Sequence, residues 1–241
     1  LHLSSLIETM RRQGYECQVS RPTVIYQTID GQKCEPIELL IIEVPEQYVG
    51  AVIEKLGSRK AELVNMGTRD SGMMHIEFRI PARGLMGYRS EFLTDTNGNG
   101  IRSHVLDCYG QYKGDILQRQ QGSLIAHETG ETTVYGLFAA QDRGRLFVGP
   151  GVPVYEGMIM GASPKSEDIT VNVCKKKHVT NTRASGADEA LKLTHPSMRS
   201  MDKSFEFITD EEQVEVTPKS IRLRKTILNK EQRMKNASRK G

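Results

Sequence analysis

Ile37-Glu-Leu-Leu-Ile-Ile-Glu-Val-Pro45 reads as a strand buried in mid-sheet, because its aliphatic run is almost unbroken and a proline ends it. Directly after it, Gln47 to Lys60 places Val49, Val52, Ile53 and Leu56 on one helical stripe. Glu62 to Met66 returns as a strand. Then Met74-His-Ile-Glu-Phe-Arg-Ile-Pro81 repeats the plan: Met74, Ile76, Phe78 and Ile80 alternate with His75, Glu77 and Arg79, and a proline again closes the strand. His75 should therefore face away from the core. A second helix over Leu85 to Leu93 and a last strand near Val105 to Tyr109 complete the set. A strand, proline and helix in that order, used twice with a strand after each helix, predicts an α+β fold built on a split βαβ, ferredoxin-like sandwich.

On the N-terminal side, Leu3, Leu6, Ile7 and Met10 fall at helical spacing until Gly14 stops the pattern. Val19 to Ile29 is β-prone on either side of Pro22, and Asp30-Gly31 marks a turn. One helix and two short strands cannot enclose a core, so residues 1–33 are expected to be the tail end of a domain that begins before Leu1. On the other side, 34–112 is the sandwich. From 113 to 241 the texture changes to short β-prone runs punctuated by glycine: Ser123 to His127, Thr132 to Ala140, Leu146 to Val148, Val154 to Met160 and Ile169 to Val173. Helices are expected at Ala187 to Leu193 and around Phe205 and Ile208. Val214, Val216, Ile221 and Leu223 resume the alternation, with Arg222 and Arg224 on the opposite face, and Asn229 is a suitable N-cap for a last polar helix. This third region predicts a mostly antiparallel β domain with helices.

The chain has 241 residues, 33 Lys and Arg against 30 Asp and Glu, and 37% hydrophobic residues. That balance excludes a disordered polyelectrolyte and a wholly basic nucleic-acid coat protein. The longest apolar run, Leu39 to Ile42, is far short of the roughly 20 residues a membrane span needs, and no leader opens the chain. A cytoplasmic location with no membrane partner is the expectation. Cys17, Cys34, Cys108 and Cys174 lie far apart with no Cys-x-x-Cys pair, which argues for buried thiols rather than a zinc site or disulfide framework. The charge is unevenly spread: 12 basic against 14 acidic residues precede Lys113, and 21 against 16 follow from it. Lys219 to Gly241 alone carries nine Lys and Arg against Glu231, which suits a polyanion such as RNA.

Several chemistries are missing. A phosphate-cradling loop needs Gly-Lys-[Ser/Thr], and no Gly-Lys dipeptide occurs. Asn229-Lys230-Glu231-Gln232 lacks the carboxylate that would read guanine. Asp95, Asn97, Asn99 and Gly100 match half of a calcium loop, but Leu106 stands where a bidentate glutamate is required, so an Asn/Gly turn ending the second helix is the better reading. No His-Glu-x-x-His or Gly-x-Ser-x-Gly is present, and Glu167-Asp168 and Glu211-Glu212 read as solubilising charge. The expectation is a noncatalytic chain with no cofactor or metal of its own.

What the chain does carry is Cys174-Lys-Lys-Lys-His-Val-Thr-Asn-Thr-Arg-Ala-Ser-Gly186, between a strand and a helix. Lys175, Lys176, Lys177, His178 and Arg183 supply cations or donors, and Asn181 and Ser185 supply short polar groups suited to phosphate, ribose and base edges. Arg222 and Arg224, projecting from one strand face, are a second basic feature in the same region. Arg83, Arg89, Lys219 and Lys225 are secondary candidates for RNA contact.

Longer words then join these. Leu-His-Leu-x-x-Leu-Ile-Glu-Thr-Met-Arg-Arg at 1–12, Ile-Pro-Ala-Arg-Gly-Leu-Met-Gly-Tyr-Arg-Ser-Glu-Phe at 80–92, Gly-Leu-Phe-Ala-Ala-Gln-Asp-Arg-Gly at 136–144, Asn-Thr-Arg-Ala-Ser-Gly-Ala-Asp-Glu-Ala at 181–190 and Glu-Val-Thr-Pro-Lys-Ser-Ile-Arg at 215–222 closely resemble the C-terminal half of the BipA/TypA family of ribosome-binding translational GTPases. The resemblance implies that 1–33 ends a module like domain III of elongation factor G, that 34–112 is like its domain V, and that 113–241 is the family-specific domain. It implies that GTP and Mg belong to a GTPase domain outside this chain. It further implies docking on the 70S ribosome or its large subunit, with rRNA and A-site tRNA as partners of the loop matching Lys175 to Gly186, by a monomeric fragment. Large-subunit assembly, growth under stress and virulence are the roles it suggests. The alternative from the residues is a protein-interaction or autoinhibitory module acting on the GTPase domain, motivated by the slightly acidic first part.

Overall fold

The computed structural model describes residues 2–69, 72–116, 119, 121–176 and 192–240. The chain divides into two compact units, one of residues 22–118 and one in which 1–21 join 119–241. Helix α1 (His2–Arg12) and strand β1 (Cys17–Ser20) open the chain and belong to the second of these. The boundaries expected at 33 and 112 thus give way to 21 and 118, for reasons of strand pairing set out below.

The 22–118 unit contains β2 (Gln27–Ile29), β3 (Gln32–Pro45), α2 (Val49–Ser58), β4 (Glu62–Thr68), β5 (Met73–Pro81), α3 (Tyr88–Asp95) and β6 (Ile101–Gln111). β3 lies between β6 and β5, β5 pairs β4, and every pairing is antiparallel, which is the interleaved order of a ferredoxin-like sandwich. Pro45 and Pro81 end their strands as read, and each caps a 3-10 turn that leads towards the next helix, so α2 and α3 start slightly later than the expected Gln47 and Leu85. The helices cover one sheet face, burying Leu40, Ile42, Val44, Ile76, Phe78 and Ile80 against Val52, Leu56, Tyr88 and Phe92. His75 lies on the opposite face, its Nε2 3.0 Å from Glu77, as the alternation requires. The segment after α3 is a turn, with Asn97 and Gly98 at positive φ and the Gly98 amide donating back to Leu93. β2 forms a hairpin with the start of β3, and this is why residues 22–33 go with the sandwich.

The other unit continues with β7 (Ser123–Ala126), β8 (Gly130–Glu131), α4 (Val134–Gln141), β9 (Arg145–Leu146), β10 (Pro153–Val154), β11 (Met158–Ala162), β12 (Ile169–Val171), α5 (Met201–Phe207), β13 (Glu212–Val216), β14 (Ile221–Lys225) and α6 (Lys230–Lys240). Its sheet runs β1-β13-β14-β11-β7-β12, with β9 also on β11, and is antiparallel except for β12 on β7. β1 pairs with β13 from Cys17 opposite Val216 to Ser20 opposite Gln213, and Ile7 of α1 enters the cluster of Phe147, Phe207, Val214 and Leu223. The ladder of residues 17–20 and the Ile7 side chain are therefore satisfied inside this unit, while Leu3 and Leu6 stay exposed. A second cluster holds Leu124, Leu137, Met158, Met160 and Val173.

One expectation fails here. Thr132 to Ala140, expected as a strand, contains helix α4 instead, because the Thr133 hydroxyl accepts the Gly136 amide at 2.9 Å as an N-cap and Gly136, Leu137 and Ala140 bury one side of the turn. Tertiary packing overrides the β-propensity of Thr132 to Tyr135. The helix expected at 187–193 lies mostly outside the described residues, and Lys192 to Ser200 is irregular. Asn229 caps α6 as expected, accepting the Gln232 amide at 3.1 Å. The four cysteines are free, with Cys34 buried, Cys17 and Cys174 half-buried and Cys108 exposed rather than buried. No helix among the described residues is long and apolar enough to cross a membrane.

Candidate RNA interface

The basic segment leaves the sheet beside the N-terminus of α4. The Thr133 amide donates to the Val173 carbonyl at 2.9 Å, and the Thr133 hydroxyl donates to the Lys175 carbonyl at 2.5 Å. The approach is close enough to demand glycine at 136: a Cβ there would sit 2.4 Å from the Val173 oxygen. This clamp sets the backbone direction at Lys175. Lys175 and Lys176 are exposed and have no acidic partner among the described residues, and Lys175 Nζ stands 6.0 Å from the Tyr135 ring centre. Lys177, His178, Asn181, Arg183 and Ser185 lie outside the described residues.

On β14, the period of two puts Arg222 and Arg224 on one face and Leu223 and Lys225 on the other. Arg222 donates to Glu215 at 3.3 Å, and Glu215 also accepts the Tyr155 hydroxyl at 2.7 Å, so part of the Arg222 charge is spent internally. Burial, reinforced by that carboxylate, pushes the Tyr155 phenol well above its ordinary range. Arg224 is half-buried and donates from Nε to the Lys225 carbonyl at 3.2 Å. Lys219, in the turn between β13 and β14, is exposed.

Lys225 corrects the reading. Its ammonium is buried between Asp168 at 2.5 Å and Glu212 at 2.8 Å, so it cannot reach RNA without breaking an internal cluster. Arg119 donates to the same Glu212 oxygen at 3.1 Å and to the Phe207 carbonyl at 3.1 Å, and Ser123 adds a bond to Glu212 at 2.7 Å. Glu212 and Asp168 are thus the counter-charges of a structural network, not the solubilising pairs their neighbours suggested. Parity offered the missed signal: Lys225 is in phase with Leu223, and Glu212 with Val214 and Val216. Arg83, in the sandwich unit, is corrected likewise. It forks onto the fully buried Glu35 at 2.5 and 3.1 Å, bonds the Gly114 carbonyl and stacks 4.5 Å from the Tyr112 ring centre. Arg89, on α3, remains exposed.

Dividing the charges by unit sharpens the contrast. Residues 1–21 with 119–241 hold 23 Lys and Arg against 17 Asp and Glu, net +6, while 22–118 hold 10 against 13, net −3. The cationic surface belongs to one unit.

Residues 32–120 match the family model for the elongation factor G C-terminus, and residues 121–230 match the TypA/BipA C-terminal domain. An elongation factor G-type α+β domain followed by that second domain defines the class. Similarity runs through the whole chain. The large ribosomal subunit assembly factor BipA of Bacillus subtilis is 47% identical over 241 residues, all of this chain and 39% of that protein. The proteins of the same name from Synechocystis and Salmonella typhimurium are 47% identical over 95% of this chain and 48% identical over 97% of it, covering 38% and 39% of their own lengths. The chain belongs to the TypA/BipA family, and it spans about two fifths of the length of the curated relatives it matches.

Proposed function

We infer that this chain is the noncatalytic, ribosome-binding part of a TypA/BipA-type factor that serves assembly of the large ribosomal subunit, and that the +6 unit grips RNA. The name borne by the relatives supports the assembly role. One observation carries the RNA reading: Lys175 and Lys176 stand exposed at a clamped point of the more basic unit, without acidic partners among the described residues. Lys219 and Arg224 extend this set, and Lys177, His178, Asn181, Arg183 and Ser185 continue it along the sequence. Arg89 would be a contact of the sandwich unit. The partners are rRNA and the acceptor region of A-site tRNA, and the setting is assembly and translation under stress in the cytoplasm. GTP and Mg act in a GTPase domain of the longer protein, which the sandwich and the basic unit position on the ribosome.

Affinity in this scheme comes from phosphate neutralisation, so log K falls with log salt by roughly 0.7 to 0.9 per phosphate contacted. Co-sedimentation with purified large subunits across a salt series measures that slope. Replacing Lys175, Lys176 and Lys177 by alanine should flatten it by about 2 to 3 if all three meet phosphates. An unchanged slope removes the segment from the interface.

A further inference from the structure

Around Phe147 and Phe207 the basic unit gathers more positive charge than it neutralises. Arg199 lies 4.1 Å from the centre of each ring, and the rings themselves meet edge to face at 5.2 Å. Arg119 lies 3.9 Å from the Phe207 ring as well. Arg145 joins them because the Ser197 amide donates to the Leu146 carbonyl at 2.8 Å, which draws the segment before Arg199 alongside β9. Only Arg119 has a carboxylate in ion-pair contact, Glu212, and that carboxylate also serves Lys225. Among the described residues, neither Arg145 nor Arg199 has one.

The polar accounting points the same way. Arg199 Nη1 donates to the Lys203 carbonyl at 3.2 Å, but the Nε atoms of both Arg199 and Arg119 are buried without a hydrogen-bond partner among the described residues. A guanidinium N–H removed from water and left unbonded costs free energy that an arriving acceptor recovers. Burial, then the charges of Arg119 and Arg145, bring the Arg199 guanidinium down to about 10, with Glu206 offsetting part of this. Arg199, stacked on both rings beside Arg119 and facing the charge of Arg145, is costly as it stands and is relieved by an oxyanion. Stacking also fixes the plane of the fork, which is the arrangement that recognises phosphate.

We propose that Arg199 and Arg145, backed by Phe147 and Phe207, form a phosphate site for the backbone of an RNA strand, separate from the Lys175 segment. The proposal deepens the RNA reading given above and rests on it for the source of the phosphate. A single acidic side chain would leave charge over, whereas a chain of phosphates suits both arginines and the net +6 of the unit.

The test follows the Arg199 Nε–H signal of the whole chain by proton–nitrogen correlation NMR, assigned by its loss in Arg199→Lys. Titrants are inorganic phosphate against chloride at equal ionic strength, a short oligouridylate, and polyglutamate. Both phosphate and oligouridylate should move the signal, and polyglutamate should not. Arg145→Gln, which leaves the stack in place, should lower the salt slope of oligouridylate binding by about 0.7, one contact on a single strand. A shift with phosphate alone would make this a small-oxyanion site and overturn the RNA assignment, and a shift with polyglutamate but not oligouridylate would overturn it in favour of an acidic protein. If neither phosphate nor RNA moves the signal while Lys175, Lys176 and Lys177 still set the slope on large subunits, this site is wrong and the broader function stands. Loss of the slope on large subunits together with a silent signal would sink both.

Discussion

Lys225 Nζ lies 2.8 Å from Glu212 Oε1, and the side chains retain 5% and 0% of their exposure. The pair closes β14 onto β13, where the two residues face each other in the ladder, and Arg119 and Asp168 complete the charge balance. Removing one partner leaves the others as uncompensated buried charge. Lys225→Ala should therefore destabilise the basic unit by about 3 to 5 kcal/mol, read as a lower urea midpoint by circular dichroism. The Glu212→Leu, Lys225→Met double replacement should recover part of that loss, and an unaffected Lys225→Ala midpoint would contradict the network. The alanine variant's RNA salt slope, measured where it is still folded, should match the parent's.

The same carboxylate sets an acid limit. Burial alone would raise the Glu212 pKa, but the charges of Lys225 and Arg119, with hydrogen bonds from Lys225 and Ser123, hold it below the ordinary 4.5. The unfolded chain then binds the proton more readily than the folded one, so stability falls as acid is added. The contribution is complete above about pH 5 to 6 and is lost as pH falls past 4.5 towards the folded value. Thermal midpoints across that window should fall for the parent, whereas Glu212→Gln should begin lower at neutral pH and fall less steeply.

Two helical glycines should respond oppositely to alanine. Gly50, in α2, has nothing within 4 Å of where a Cβ would be, so Gly50→Ala should stabilise the sandwich unit by about 0.5 to 1 kcal/mol through helix propensity. Gly136→Ala meets the Val173 carbonyl at 2.4 Å and should cost about 1 to 3 kcal/mol. It should also disturb the amide signals of Lys175 and Lys176, because the same contact sets their backbone. Equal effects at the two sites would refute the packing argument.

Arg83 and Arg89 test the difference between an inward and an outward arginine. Arg83→Ala strands the buried Glu35 and should lower the sandwich unit's stability by roughly 3 kcal/mol. Arg83→Lys should rescue little of this, since an ammonium cannot reproduce the fork or the ring stack. Arg89→Ala should leave the unfolding midpoint unchanged and act, if anywhere, on the ribosome-binding salt slope. Differential scanning calorimetry on the three variants separates these outcomes.

The order of elements in residues 35–111, and separately the cap at Asn229, were legible because each depends on neighbours close along the chain: the alternation of Met74 to Ile80, the prolines at 45 and 81, and the Asn229 side chain are local features of periodicity and turn geometry. In Thr132 to Ala140 the local N-cap at Thr133 competed with the β-propensity of Thr132 to Tyr135, and what decided for helix was the fit of Gly136 against Val173. Nor could local pattern place β1 beside β13. The inward turn of Lys225 was written in its phase with Leu223, but what makes a buried ammonium tolerable is Asp168 and Glu212. Arg119 and Glu212 are 93 residues apart. Sequence alone determined the element order of the sandwich and the family, along with the excess of cations towards the C-terminus. Only the tertiary structure decided which cations are consumed inside and which remain exposed, because compensation of a buried charge is settled by groups that folding brings together from distant parts of the chain.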